Sequence, residues 1–160
     1  MQFKRVIRPS TLSLFSRCWP EEKGRQFYEA STYWLHSDDP GEILVYLNDV
    51  GYEIGITGWA PIPGNRAFLR WTAVNPQFRG QGIGRRMIEL LMERIRKEYG
   101  VGEIYETTDS EEVRDWFLSM GFLDEPKHIH VLELKELAGD FKYCLFHRKQ
   151  EQPFNPGETP

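Results

Sequence analysis

The stretch "VNPQFRGQGIGRRMIELL", Val74 to Leu91, carries glycine at every second position from Gly80 to Gly84, with Arg79 before it and Arg85-Arg86 after it. Working downstream, Met87, Ile88, Leu91, Met92, Ile95 and Tyr99 step by three and four, one face of an amphipathic helix that Gly100 ends. Working upstream, "RAFLRWTAV", Arg66 to Val74, reads as a strand. A helix start offers unpaired N–H groups and about half a positive charge. Glycine lets a bulky anion approach the backbone closely, and arginine adds a bidentate grip. Strand, glycine loop and helix therefore read as an anion cradle, with pyrophosphate the natural guest.

Further out, the chain reads as mixed α and β. "FKRVIR" alternates like a strand; "STLSLFSRCW" and "EEKGRQFYEASTYWL" are two short helical patterns broken at Pro20. "EILVYLND" and "YEIGITGWA" form a hairpin across "NDVG", and the Arg66–Val74 strand follows "PIPGN". Past the long helix, "GEIYETT" is a strand. "DSEEVRDWFLSMGF" is a helix with Val113, Trp116, Phe117 and Met120 on one face, an Asp109–Glu112 capping box, and Gly121 as its stop. "HIHVLELKEL" and "FKYCLFHRK" close the fold as two strands with a Gly-Asp turn near Gly139.

The 160 residues, 40% hydrophobic and 14% aromatic, suit one packed domain with a sizeable core. We place that domain at 1–149 and read 150–160, "QEQPFNPGETP", as a Pro-rich tail. No apolar run approaches the ~20 residues needed to span a bilayer, and the N-terminus lacks a signal-like apolar core. Cys18 and Cys144 lie far apart and match no metal or redox spacing, so a cytoplasmic protein with reduced thiols is expected. A net charge of −4 argues against a nucleic-acid partner. Arg79, Arg85 and Arg86 then form a local basic spot on an acidic body, which suits a small anionic ligand.

Two common phosphate motifs fail. The nucleotide P-loop needs Lys-Ser or Lys-Thr after its last glycine, where this chain has Arg85-Arg86. The dinucleotide fingerprint needs G-x-G-x-x-G in an early βαβ unit, whereas the spacing here is G-x-G-x-G behind strands that look antiparallel. The pattern met by Arg79, Gly82 and Gly84 is R-x-x-G-x-G, and here the sequence resembles the GNAT superfamily of acetyl-CoA-dependent N-acetyltransferases. "SEEVRDWFLSMGF" falls on a second, looser family frame of asparagine, alanine, an aromatic-tyrosine pair and Gly-Phe, through Ser110, Val113, Trp116-Phe117 and Gly121-Phe122. The resemblance covers nearly the whole chain.

It implies an α/β fold with a mixed, mostly antiparallel sheet, splayed central strands and flanking helices. The splay would follow a bulge around Thr72, Ala73 and Val74, whose backbone would hold the pantetheine arm of acetyl-CoA, with the Val74 N–H as oxyanion donor. Arg79, Gly80, Gln81, Gly82, Ile83, Gly84 and Arg85 would cradle the pyrophosphate. Ser110 stands where the family's asparagine meets the cofactor arm, and equally suits a helix start. Phe117 holds the position of the family's proton-donating tyrosine, and Phe68 that of a glutamate base. Neither aromatic ring can do that chemistry, so either the thiolate, of pKa near ~8.5, leaves without a proton donor, or Tyr105, Tyr143 or a water acts as acid. Glu106 is the base candidate, a solvated strand edge being its plain alternative; Asp109 is second.

The implied activity is direct acetyl transfer from acetyl-CoA to a primary amine, either a small cationic amine or a protein amine. The alternative is a non-catalytic acyl-CoA-binding or protein-interaction module on the same scaffold. Monomer and homodimer stay open. His128 and His130 share a strand face with no carboxylate or cysteine at ligand spacing, so no metal is expected. Trp34, Trp59 and Trp71 are core packing by default, and the segment from Pro9 to Pro40, with Phe27, Tyr28, Glu29 and Asp38, is where an acceptor would be chosen.

Overall fold

The computed structural model describes residues 2–4, 14, 41–124 and 141–148. Apart from Leu14, which is helical and buried, the two helical patterns between Pro9 and His36 lie outside the described residues, as do Trp34, His128, His130, the "HIHVLELKEL" strand and the Pro-rich tail. Among the described residues, seven strands form one sheet: β1 (Gln2–Lys4), β2 (Glu42–Leu47), β3 (Glu53–Ile62), β4 (Arg66–Val74), β5 (Glu103–Thr108), β6 (Leu123–Asp124) and β7 (Tyr143–Arg148). Their order is β1-β2-β3-β4-β5-β7-β6. Every pairing is antiparallel except β4 with β5. A parallel pair needs a long crossover, supplied by helix α1 (Ile83–Tyr99). Helix α2 (Glu111–Ser119) follows β5.

The expected β4 is matched residue for residue, and β3 runs further than read, through Pro61 to Ile62. A proline is tolerated there because β2 pairs with β3 only as far as Trp59, so no ladder bond is lost on that side.

One face of the sheet takes both helices. Met87, Ile88, Leu91, Met92 and Ile95 of α1 are buried as the periodicity predicts, and most join Leu44, Leu69, Ile104, Phe117 and Leu145 in the main core cluster. Each such side chain contributes about 1.5–3 kcal/mol on burial. Tyr99, expected on the same face, is 38% exposed and meets Trp59 edge-on at 4.8 Å. The opposite face holds a second cluster built on Ile62, Phe68, Tyr105, Cys144 and Phe146.

One buried charge ties helix to sheet. Glu42, 1% exposed at the start of β2, accepts from Arg94 Nε at 3.1 Å, from Arg94 Nη2 at 2.8 Å and from Trp59 Nε1 at 3.2 Å.

Helix α2 stops at Gly121 as expected, with φ of +91° there, but departs from expectation at its start and on its apolar face. Its N-cap is Ser110, whose hydroxyl accepts from the Val113 N–H, so the Asp109–Glu112 capping box is not formed. Asp109 instead accepts from the Lys142 N–H at 2.8 Å, pinning the entry to β7. Of the predicted face only Phe117 is fully buried; Val113 and Trp116 are exposed, and Met120 packs partly as the C-cap. A nine-residue helix on a sheet edge has room to bury only a narrow stripe.

Candidate functional site

The site begins with a count mismatch between two strands. Ile56 pairs with Ala73 and Gly58 with Arg70, so Thr57 alone opposes both Trp71 and Thr72. That is a β-bulge on β4, one step earlier than the sequence reading put it. The Thr57 and Thr72 hydroxyls meet across it at 2.9 Å. Beyond the bulge, the Asn75 N–H donates to the Ile54 carbonyl at 2.8 Å. This makes Gly55 and Val74 a non-hydrogen-bonded pair, so the Val74 N–H and carbonyl are directed away from β3. On that side β5 has already diverged, since β4 and β5 pair only from Arg66–Glu103 to Phe68–Tyr105. The two parallel strands form a V that opens toward Val74.

The glycine loop closes the open end. After a 3-10 turn at Pro76–Phe78, capped by the Asn75 side chain on the Gln77 N–H, Gly80 and Gly82 adopt φ of +79° and +74°. Side chains rarely adopt such backbone, and nothing lies within 4 Å of where a Cβ would stand on either. Gly82 caps α1 with no side-chain bond and no acidic residue follows in the first turn. The first helical bond runs from the Arg86 N–H to the Gly82 carbonyl, so the N–H groups of Ile83, Gly84 and Arg85 fall outside the helix ladder.

These groups line one cleft of about 340 Å³, walled by Thr72, Val74, Phe78, Arg79, Gly80, Gly82, Ile83, Gly84, Arg85 and Trp116. Thus eight of the residues read as cofactor-binding converge: Thr72, Val74, Arg79, Gly80, Gly82, Ile83, Gly84 and Arg85. Ala73, Gln81, Ser110 and Phe117 do not line it. Ala73 is buried, Gln81 faces solvent, Ser110 spends its hydroxyl on the helix cap, and Phe117 is 2% exposed within the core.

Phe78 and Trp116 were not foreseen. Trp116 was read as a core residue from its spacing, yet its indole leans on the helix start: a Cβ on Gly84 would come within 3.2 Å of that ring. Arg85 bridges the same helices, donating through Nη2 to the Ser119 carbonyl at 3.3 Å and through Nε to Glu89 at 3.3 Å.

The acid–base candidates sort by burial. Phe68 is buried in the cluster opposite the helices. Tyr105 lies in the same cluster; its hydroxyl is bonded to Glu103 and its pKa is pushed up to about 12, chiefly by burial. Tyr143 is half-buried beneath the Arg114 guanidinium, 4.7 Å from the ring centre. Asp109 is committed to the Lys142 backbone. Glu106 is not the solvated edge residue of the plain alternative. Its Oε2 is closed to solvent without a hydrogen-bond partner among the described residues, and burial raises its pKa well above the usual carboxylate range, a Thr107 backbone bond opposing in lesser measure. Burial thus favours the protonated form of this carboxyl over the charged one.

Among the described residues, no helix is long and apolar enough to cross a membrane. The model of the acetyltransferase (GNAT) family matches residues 8–122. No curated protein matches. The chain superposes on a GNAT-family acetyltransferase from Desulfovibrio desulfuricans with a TM-score of 0.71 at 19% identity, over 92% of this chain and 98% of that one. A GNAT-family N-acetyltransferase from Escherichia coli (YhbS), in complex with CoA, gives 0.68 at 18%, over 92% and 80%. Spermidine N-acetyltransferase from Vibrio cholerae, in complex with CoA and spermine, gives 0.68 at 15%, over 92% and 94%. At these identities the likeness is one of fold.

Proposed function

The chain belongs to the acetyltransferase (GNAT) family, and on that premise we propose that it binds acetyl-CoA in the cleft and passes the acetyl group directly to a primary amine. The observation that carries this reading is that the end of β4 at Thr72 and Val74, where β5 has diverged, and the start of α1 with its bare N–H groups wall one cleft. A diphosphate is held where helix dipole, backbone donors and arginines converge, and an extended acyl arm lies in the V as a strand would.

The chemistry asks for three things. The acceptor attacks as the free amine, so an amine with a pKa near ~10.4 must first shed a proton. The tetrahedral oxyanion needs a donor, the role we assign to the Val74 N–H, which is directed away from β3. The leaving thiolate benefits from a proton. For the acceptor we propose a small cationic amine, a reading supported by fold relatives that include spermidine and aminoglycoside N-acetyltransferases.

The test is calorimetry with acetyl-CoA, followed by CoA release from a panel containing spermidine, an aminoglycoside and a lysine peptide. Binding with release from one class supports the proposal. No acetyl-CoA binding overturns it, and tight binding with no release from any amine points to a binding module instead.

A further inference from the structure

The Glu106 carboxyl has a place in the fold that gives its orphaned oxygen a use. β5 pairs with β4 through Glu103, Ile104 and Tyr105, so Glu106 is the first residue past the last rung, at the apex of the V. By strand alternation it shares the face of Ile104, and its β7 partner Leu145 lies in the same cluster, which also contains Phe117. The acyl arm proposed above enters from the glycine loop and runs toward that apex.

We propose that Glu106 is the proton donor to the departing sulfur, taking the role that Phe117 has no proton to fill. This rests on the acyl-transfer reading. The free amine attacks the thioester carbon, giving an intermediate whose nitrogen carries one proton too many. The C–S bond breaks, its electron pair stays on sulfur, and the Glu106 carboxyl protonates the thiolate. The resulting carboxylate takes the surplus proton from nitrogen, so amide and thiol leave and Glu106 is neutral again. One carboxyl thus moves a proton from nitrogen to sulfur with nothing gained or lost.

The surroundings suit an acid that starts neutral. The titratable and charged groups on the elements beside it among the described residues include Cys144 on the neighbouring rung of β7, Asp124 on β6, His147 on β7 with its Arg96 partner from α1, and Arg114 on α2. Cys144 is a neutral thiol, pushed up to about 12 by burial first and then by Glu106. Arg96 is occupied with His147, and Arg114 with Asp115 and Glu111. Arg70 of β4 falls on the opposite face from Leu69.

The test needs no acceptor. CoA is bound to the wild type, to Glu106→Gln and to Glu106→Asp, and its thiol is titrated by thiolate absorbance against each CoA-free protein. With carboxylate and thiolate forced side by side, the wild-type complex should hold its last proton to a pH about one unit or more above that of Glu106→Gln, and Glu106→Asp should follow the wild type. Identical titrations in all three overturn the proton donor while leaving acyl transfer intact. Failure of the wild type to bind CoA overturns both. If Glu106→Gln does not fold, Glu106→Asp titrating like free CoA overturns the proposal equally.

Discussion

The Arg79 guanidinium reaches back five residues to donate its Nε–H to the Val74 carbonyl at 3.1 Å, so the residue that opens the glycine loop also ties it to the end of β4. Val74 and Arg79 both wall the cleft. Removing the side chain takes away a charge-assisted bond, worth about 1.5–3 kcal/mol, and a cation beside the phosphate site. Arg79→Ala should weaken acetyl-CoA by about 10- to 150-fold. Arg79→Lys, which keeps the charge but not the fork, should fall between. Calorimetry giving the parental affinity for Arg79→Ala would remove the arginine from the site.

The neighbouring glycines Gly82 and Gly84 should respond to very different degrees. Gly82 has φ of +74° and open space where a side chain would go, the space assigned to the diphosphate. Gly82→Asp adds strain and a negative charge there and should abolish detectable acetyl-CoA binding. Gly84 is ordinary helix, where alanine gains about 1 kcal/mol in propensity but crowds Trp116 at 3.2 Å. Gly84→Ala should hold its melting temperature within a few degrees and lose less than about tenfold in affinity. Equal losses for the two would show that the loop acts through chain path alone.

The loop was legible in sequence because its demands are local: positive-φ glycines, flanking arginines, and a helix whose face repeats by three and four. The strand pattern of β4 was legible for the same reason. What escaped depends on partners distant in sequence. Trp116 and Phe117 are neighbours on one short helix, and only packing against Phe122 on one side and Gly84 on the other decides which is core and which is wall. The orphaned Glu106 oxygen was invisible too, because alternation reports a face and not what covers it. Ser110 and Asp109 are both good caps by type; the competing bond from Lys142, 33 residues away, settled the matter.

Glu42 is the buried charge whose loss should cost most outside the cleft. It is 1% exposed and accepts three bonds from Arg94 and Trp59. Breaking a buried pair costs about 3–5 kcal/mol because the remaining charge is stranded. Arg94 is 32% exposed, so water relieves part of this and the lower end is expected. Arg94→Met should lower the melting temperature by about 6–12 °C, and adding Glu42→Leu should restore much of it. A double variant no more stable than Arg94→Met would contradict the stranded-charge account.

Glu106 should make the parent weaker as pH rises. Its folded-state pKa lies well above the unfolded value, chiefly through burial. Between those two values the native state holds a proton that the unfolded state has released, so stability falls as pH climbs through that window. Glu106→Gln has no proton to lose. The variant should match the parent below the unfolded carboxylate range and exceed it near neutrality, as read by urea midpoints across pH. Parallel pH curves for the two proteins would mean that Glu106 is ionised in the native state.

Phe117→Tyr adds one hydroxyl to a ring that is 2% exposed and packed edge-on against Trp116 and Phe122, each at 5.0 Å. The ring belongs to the core cluster rather than to the cleft wall. A buried hydroxyl without a partner costs about 1–3 kcal/mol. At about 2–4 °C per kcal/mol for a chain of this size, the melting temperature should fall by roughly 2–12 °C. Turnover at a temperature where both proteins are folded should not rise, because Glu106 already supplies the proton. A rate increase of about 10²–10⁴, the span of general acid catalysis, would show that the tyrosine hydroxyl reaches sulfur and that the parent runs without an acid, against the role assigned to Glu106.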